Sequence, residues 1–276
     1  MILKKGIKVY DRHIENIKDQ VWINTGVSLV DNKNLEIEYF RNAYLPNTDW
    51  HKLTDLEHKQ ILTDIADGEM FNTLAIGFIP DSLQDLFKKL NLHECESLFD
   101  VPKKFEKDEE LTKKINDTLN VFLSEKSSEN NYKFHRIARS LPDMQSTTFH
   151  HLGQNQFKYT GLHIDKSKLF TPHTAYKSNN RISINISTES RYLYFINLTL
   201  RQIYGKVQKK YSEKITSENI VEQFFILYPE YPVLKLEIKP YQYYIAPTDN
   251  FIHDGTTLGN KEFDITMVYV GVFDKY

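Results

Sequence analysis

The feature that most constrains the fold is a series of short strand-like runs in the second half of the 276-residue chain. From Tyr132 onward, β-branched and aromatic residues recur in short runs that polar and turn-forming residues separate. The runs are FHRIARSL, QFKYTGLHI, RISINIS, RYLYFINLTL, VLKLEI, QYYIA and DITMVYVGVF. Such a series predicts an antiparallel sandwich or barrel, interrupted by one helical segment from Ser217 to Leu227.

The first half of the chain has a different pattern. After a strand-like start, three segments place apolar residues at helical spacing behind capping residues. These segments are Thr54 to Ala66, Asp81 to Leu90 and Lys107 to Leu123. Because no Gly-, Ser- or Pro-rich linker divides the halves, we predict a single α+β domain, 1–276. A mixed, largely helical part (1–131) would pack on a β core (132–276) that has a helical insertion near 213–228.

Composition and charge exclude several classes of protein. The chain has 35 basic and 37 acidic residues, and this balance argues against a general binder of nucleic acid or membrane surfaces. Cys95 is the only cysteine, so no internal disulfide can form. No apolar run is long enough for a signal peptide or a membrane span. We therefore expect a soluble cytoplasmic protein, and no sequence feature indicates its oligomeric state.

One short motif carries the candidate chemistry. In TGLHID, His163 and Asp165 lie two residues apart, which puts both side chains on one face of an extended segment. Gly161 would let the backbone bend just before them. His253 follows a strand and a turn in QYYIAPTDNFIHDG, and Gly255 after it would permit close packing. Two imidazoles and one carboxylate form a facial triad that leaves positions on iron(II) open.

The same three ligands could serve a zinc hydrolase, but no HExxH or paired-cysteine motif supports zinc. His163-Ile164-Asp165, with His253 90 positions after His163, resembles the 2-oxoglutarate and iron(II)-dependent oxygenase superfamily. The resemblance covers about residues 132–276. It implies a double-stranded β-helix core, jelly-roll or cupin-like, with the HxD pair near its second strand and the distal His near its seventh. It also implies Fe(II), 2-oxoglutarate as co-substrate, and dioxygen.

The residue that would anchor 2-oxoglutarate departs from the commonest family pattern. Many members use an Arg or Lys on the last strand, where this chain offers only Thr266, because Lys261 comes too early. The jumonji-like branch takes the basic residue from the strand after HxD, and Arg181 fits that arrangement. A guanidinium binds carboxylate as a two-pronged fork, so we expect Arg181 to anchor the co-substrate. Hydroxyls of Thr266 and Tyr194 would assist it. The alternatives to Arg181 are Lys177, Arg191 and Arg201.

The resemblance implies an iron(II)- and 2-oxoglutarate-dependent oxygenase. Asp165 stands where related halogenases carry a small residue, which favours hydroxylation, desaturation or another oxidation over halogenation. We expect a small-molecule substrate, such as an amino acid or an amino-acid-derived intermediate, and substrate contacts from Arg139, Asn155 and Tyr159. Arg136 and Arg139 could bind an acidic group or form structural salt bridges. A jumonji-like peptide or protein hydroxylase, an iron oxygenase without 2-oxoglutarate, and a non-catalytic cupin-type barrel remain as alternatives.

Overall fold

Two β-sheets form the centre of the computed structural model, which describes residues 3–10, 14–34, 37–64, 69–153, 156–165 and 170–276. With strands numbered along the chain, the larger sheet contains β1 (Lys8–Tyr10), β6 (Leu62–Thr63), β7 (Thr73–Phe78), β8 (Tyr132–Ser140), β11 (Asn180–Asn185), β14 (Gln242–Ala246) and β16 (Asp264–Gly271). The smaller sheet contains β2 (Val21–Ile23), β5 (His51–Lys52), β12 (Arg191–Thr199), β13 (Leu234–Ile238) and β15 (Phe251–Thr256). Two separate hairpins pair β3 (Val27–Leu29) with β4 (Tyr44–Pro46), and β9 (Phe149–Gly153) with β10 (Gln156–Tyr159).

The order of strands shows how the two halves of the chain combine. The larger sheet runs β6-β1-β7-β14-β11-β16-β8, and the smaller runs β15-β12-β13-β2-β5. The pairs within the β core are antiparallel, whereas β1 lies parallel to both β6 and β7. The N-terminal part therefore adds strands to both sheets as well as helices around them.

In the part of the chain that the structure describes, six α-helices flank the sheets. They are α1 (Asp55–Ile61), α2 (Asp81–Lys88), α3 (Asp100–Lys107), α4 (Glu109–Glu125), α5 (Leu200–Val207) and α6 (Ile220–Leu227). In the described part of the chain, no helix is long and apolar enough to cross a membrane. The mixed architecture is dominated by its sheets, as the strand-like runs predict.

Three apolar clusters hold these layers together. The first joins α2 and α4 to the outer face of the larger sheet, where Ile182 and Met267 are buried. The second lies between the sheets and includes Tyr244 of β14 and Phe195 of β12. The third joins α5 and α6 to the far face of the smaller sheet. Alternate residues of each strand thus pack in different layers, and the space between the sheets is enclosed on both sides.

Most predicted helices are confirmed, with shifted ends. α1 begins at a capping box between Thr54 and Glu57 but ends at Ile61, where β6 begins, and the predicted end at Ala66 lies outside the described residues. α2, α4 and α6 match predicted segments, whereas α3 and α5 are not predicted. α5 follows directly from the long strand β12, so the helical insertion is larger than 213–228. The capping box between Thr199 and Gln202 is the sequence signal for its start.

Candidate metal centre

The two candidate histidines face each other across an antiparallel backbone pair. The backbone N–H of His163 donates to the carbonyl of His253 over 3.0 Å, and the N–H of His253 donates back over 2.8 Å. On its other side His253 pairs with Phe195 of β12, so it is fixed in the smaller sheet. The segment around His163 is not a regular strand, because β10 ends at Tyr159. One pair of hydrogen bonds nevertheless suffices to bring both imidazoles together.

Gly161 shapes the approach to this pair. Its φ is +67°, and a Cβ at this position would lie 2.6 Å from the carbonyl oxygen of Tyr44. Any other residue would therefore be strained and would collide with backbone. Leu162 next to it donates its N–H to the same carbonyl over 2.9 Å. The predicted bend before His163 is confirmed.

The donor atoms of the three candidate ligands converge. All lie within 4.8 Å of one another, with Asp165 Oδ1 3.9 Å from His163 Nε2 and Oδ2 3.7 Å from His253 Nε2. The Nδ1 atom of His163 lies 2.8 Å from the carbonyl oxygen of Gly161, and that of His253 lies 3.2 Å from the carbonyl oxygen of Phe251. A proton on Nδ1 would donate to that carbonyl. The Nε2 atom of each ring is then free to face Asp165 and a metal ion.

Electrostatics keep these ligands in the forms that bind metal. Burial lowers the pKa of His253 to about 4, against the opposing effect of Asp165, so its imidazole is neutral at neutral pH. Burial alone would raise the pKa of Asp165, but His253, Arg181 and His163 hold it well below its usual value. The site therefore offers the neutral imidazole of His253 and the carboxylate of Asp165, and two imidazoles with one carboxylate are a donor set that fits iron(II).

Asp254 lies behind the metal centre. It is 1% exposed, and its Oδ1 atom lies 4.0 Å from Nδ1 of His163 and accepts the N–H of Gly255 over 2.8 Å. Burial raises the pKa of Asp254 to about 6, although the neighbouring His163 lowers it. Sequence reasoning missed this residue, whose only signal is its position directly after the distal His.

Arg181 lies in the site, but its guanidinium is engaged with protein groups. Its NH1 atom is 2.9 Å from Oδ2 of Asp165, and its NH2 atom is 3.6 Å from Oδ1 of Asp249. It also donates to Thr248 Oγ1. The predicted co-substrate anchor thus points toward the metal centre, where it pairs with the ligand carboxylate. Its NH1 atom is therefore engaged by protein groups.

Arg191, one of the alternatives to Arg181, is a second arginine whose guanidinium lines the inner cavity. Its side chain is 9% exposed, it donates to Thr266 Oγ1, and its NH1 atom lies 3.5 Å from Oδ2 of Asp264. Burial alone would lower the pKa of Arg191, but Asp264 raises it. Within the described residues, its Nε atom is buried without a hydrogen-bond partner. A buried guanidinium with an unsatisfied donor can bind a carboxylate, which would accept the missing hydrogen bond.

Gly255 makes room for that guanidinium. A Cβ at Gly255 would lie 2.5 Å from NH2 of Arg191 and 2.3 Å from Oγ1 of Thr147. The strand register explains the contact, because Gly255 pairs with Leu193, two residues from Arg191 on the same face of β12. The expectation that Gly255 permits close packing is confirmed.

Two cavities meet at the metal centre. The inner cavity, of about 550 Å³, lies between the sheets and is lined by the three candidate ligands together with Arg181, Arg191, Tyr244, Asp264 and Thr266. The outer cavity, of about 560 Å³, contacts His163 and Asp165 and is lined farther out by Phe40, Asn42, Phe149, His150, Glu218 and Glu222. A metal ion here would therefore be reached from both spaces.

The remaining predicted residues lie in different places. Thr266 lines the inner cavity beside Arg191, as expected of a co-substrate contact. Tyr194 is on the opposite face of β12, where its ring stacks on Trp50 at 5.2 Å, and it is not among the residues that line the inner cavity, so its hydroxyl contact with the co-substrate stays a prediction without support from this geometry. Successive side chains of a strand point to opposite faces. Because Arg191 and Leu193 face the cavity, Tyr194 faces away from it. Tyr244, which sequence reasoning missed, lines the cavity instead.

Three residues were predicted to contact the substrate. Arg139 belongs to a strand that lines the inner cavity, but its NH1 atom donates to the carbonyl of Leu98 over 2.6 Å. Tyr159 packs against Tyr39 and Phe149. Asn155 lies outside the described residues. Their roles stay predictions.

Comparisons with known proteins found distant similarity. No family model matches the chain, and no curated protein matches it. Among solved structures it is similar to the Kdo hydroxylase KdoO, a non-heme Fe(II) alphaketoglutarate dependent dioxygenase, in complex with cobalt(II) and in complex with alphaketoglutarate and Fe(III). Each match has 13% identity and a TM-score of 0.40, and covers 75% of this chain and 82% of the other. At this distance, the function of the chain has to be inferred from its own residues.

Proposed function

We propose that the protein is an iron(II)- and 2-oxoglutarate-dependent oxygenase that oxidises a small molecule by hydroxylation or desaturation. The observation that carries this proposal is the convergence of His163, Asp165 and His253 on the wall of a cavity between the two sheets. Iron(II) and 2-oxoglutarate, when bound there, would supply the activation of dioxygen for attack on a substrate C–H bond. An amino acid or amino-acid-derived substrate stays a prediction.

Different residues of the inner cavity would hold the metal and bind the co-substrate. His163, Asp165 and His253 would hold iron(II), and Arg181 would fix the orientation of the Asp165 carboxylate through their 2.9 Å contact. Arg191 would bind a carboxylate of 2-oxoglutarate, with Thr266 orienting the guanidinium. Apolar packing between the sheets, together with a bound substrate, would exclude bulk water from the reaction.

The strand order supports a double-stranded β-helix core in a single domain. Four neighbouring strands of the larger sheet run β8-β16-β11-β14, and the segment of His163 extends the smaller sheet beyond β15-β12-β13. Along the chain, these eight segments pass repeatedly between the two sheets. In such a core the distal His on β15 comes next to the HxD segment, as the hydrogen-bonded pair of His163 and His253 requires.

The test is metal and co-substrate binding without oxygen. We expect the anaerobic protein to bind one iron(II) per chain and, with 2-oxoglutarate, to develop the weak visible charge-transfer band of the chelate. His253→Ala should lose the iron and the band, whereas His51→Ala, at an exposed histidine of β5, should keep both. Absence of iron binding in the wild type would refute the proposal. Iron binding without the band would indicate an oxygenase that does not use 2-oxoglutarate.

A further inference from the structure

The edge strand β8 is irregular where it lines the inner cavity. Arg136 pairs with Val268 of β16 and Phe134 pairs with Tyr269, so His135 between them has no counterpart. Such a β-bulge turns side chains away from their regular alternation, and bulges are frequent next to active sites. Both His135 and Arg136 line the inner cavity.

Arg136 stands where the two cavities meet. It lines the inner and the outer cavity, and the residues that share this property include His163 and Asp165 of the metal centre. Thr148 and Phe149 complete the common wall. A molecule that reaches the metal from the outer cavity would therefore pass the guanidinium of Arg136.

The side chain of Arg136 is exposed at the mouth of the cavities, so water rather than a protein carboxylate solvates its charge and a ligand anion can replace that water. The other carboxylates that line the inner cavity are already paired, Asp165 with Arg181 and Asp264 with Arg191. Among the residues that the structure describes, no carboxylate forms an ion pair with Arg136 itself. Burial, together with Arg136 and Arg181, lowers the pKa of His135, so this neighbour adds a neutral imidazole and no second charge.

We propose that Arg136 binds an anionic oxygen group of the substrate, a carboxylate or a phosphate, and so selects small molecules that carry negative charge next to the oxidised carbon. This inference rests on the proposed function and names its substrate class. Glu218 and Glu222 also line the outer cavity, where they would repel a second anionic group. The remainder of the substrate is therefore neutral or cationic.

The proposal can be tested with matched compounds that differ only in their end group. Hexanoate, hexyl methyl phosphate (a diester with one negative charge), hexan-1-ol, hexylamine and the dianion adipate are each titrated into the anaerobic complex with iron(II) and 2-oxoglutarate. Binding is followed by calorimetry and by the shift of the visible band. We expect at least one monoanion to bind at millimolar concentration and to bind more tightly than the alcohol, the amine and adipate. Whether hexanoate or hexyl methyl phosphate binds better distinguishes carboxylate from phosphate.

Two variants assign that binding to Arg136. Arg136→Gln should weaken the bound monoanion about tenfold and leave the band with 2-oxoglutarate unchanged, which also shows that the variant is folded. Lys133→Gln removes a charge from the same strand at a residue outside both cavity walls, and it should leave the affinity unchanged.

Three results would overturn the inference: binding of the alcohol as tight as that of the monoanions, no binding of either monoanion, or equal affinity in Arg136→Gln. Loss of the band on addition of an anion would mean competition at the co-substrate seat, and this too would contradict a separate site. Failure of the proposed function appears earlier and independently, as absence of the band before any compound is added.

Discussion

The two ends of the inner cavity hold their positive charge in opposite ways. At the metal end, Arg181 contacts two carboxylates, Asp165 at 2.9 Å and Asp249 at 3.6 Å, and donates to Thr248. At the arginine end, Arg191 has one carboxylate, Asp264 at 3.5 Å, and one hydrogen bond to a hydroxyl. Both arginines line the same cavity, but only Arg191 keeps a buried donor without a partner in the described structure.

The difference shows that the position of an arginine in a cavity does not by itself make it a ligand site. A guanidinium has five N–H donors, and a buried one is stable only if most of them are satisfied. Arg181 directs its NH1 atom to Asp165 and Thr248 and thereby fixes the metal ligand Asp165. The donors of Arg191 would be completed by a bound carboxylate, so this end of the cavity gains most from 2-oxoglutarate.

The largest loss of ligand affinity is expected at the arginine end of the cavity. Arg191→Gln should reduce the affinity for 2-oxoglutarate about 100-fold or more, since losing one partner of a buried charged pair costs about 2–5 kcal/mol. Iron(II) binding should persist, because the metal end is untouched. Titration of the visible band with 2-oxoglutarate measures the first effect, and metal analysis of the purified protein measures the second.

This variant leaves Asp264 buried without its guanidinium, which could unfold the protein. The double variant Arg191→Gln/Asp264→Asn removes both charges and should show the same loss of 2-oxoglutarate binding with better stability. Arg201→Gln is the matched control, because Arg201 is exposed at the start of α5. An unchanged band in the double variant would remove Arg191 from the co-substrate seat.

The second-largest loss of affinity is expected at the metal end of the cavity, where it concerns iron(II) rather than 2-oxoglutarate. Arg181→Gln should weaken iron(II) about 10- to 100-fold, as is usual when a residue that orients a metal ligand is lost. At saturating iron, the affinity for 2-oxoglutarate should stay within a few-fold of the wild type. Competition with a metal-sensitive dye gives the first constant, and the band gives the second. A variant with normal iron affinity and lost 2-oxoglutarate binding would reverse the two roles, and would restore Arg181 as the anchor.

A smaller effect is expected from the backbone that makes room for Arg191. In Gly255→Ala, the added methyl would meet Arg191 NH2 and Thr147 Oγ1, at 2.5 Å and 2.3 Å in the present geometry. Displacement of the guanidinium should weaken 2-oxoglutarate about tenfold. Gly205→Ala is the control, since its Cβ would meet nothing within 4 Å and alanine favours the helix α5. Equal 2-oxoglutarate affinities in the two variants would contradict the steric role of Gly255.

The sequence predicts the metal end better than the arginine end. His163, Asp165 and Gly161 form a local motif whose geometry depends on a few adjacent residues, and a single backbone pair adds His253. The seat of Arg191 depends instead on contacts with Gly255, Asp264 and Thr266, which lie 64, 73 and 75 positions later in the chain. No local pattern shows which of several strand arginines will be left with free donors.

Tyr194 illustrates the same limit at the level of one strand. The run RYLYFINLTL is apolar on both faces, because β12 is buried between the inter-sheet cluster and the helices α5 and α6. Without alternation of polar and apolar residues, the sequence does not reveal which tyrosine faces the cavity. The sequence does contain a second signal. Arg191 and Tyr194 lie three positions apart on one strand and therefore point to opposite faces, so only one of them can face the cavity.

The smallest effect concerns the pH dependence of stability at the metal end. In the metal-free protein, the pKa of Asp254 is about 6 against an ordinary value of 3.8, so the folded state binds more protons than the unfolded state between these values. Its contribution to stability therefore falls as pH rises from about 4 to 6. His253, with a pKa of about 4 against 6.5, contributes the opposite slope, since it binds fewer protons when folded. The two slopes offset each other in the wild type.

Asp254→Asn removes one of these slopes and should expose the other. With a chelator present, the free energy of unfolding of the variant should fall on acidification from pH 6 to pH 4, relative to the wild type, by about 1 kcal/mol per pH unit. Urea denaturation at several pH values measures the difference, in which the titrations common to both proteins cancel. Parallel curves would mean that Asp254 is not a buried titrating carboxyl.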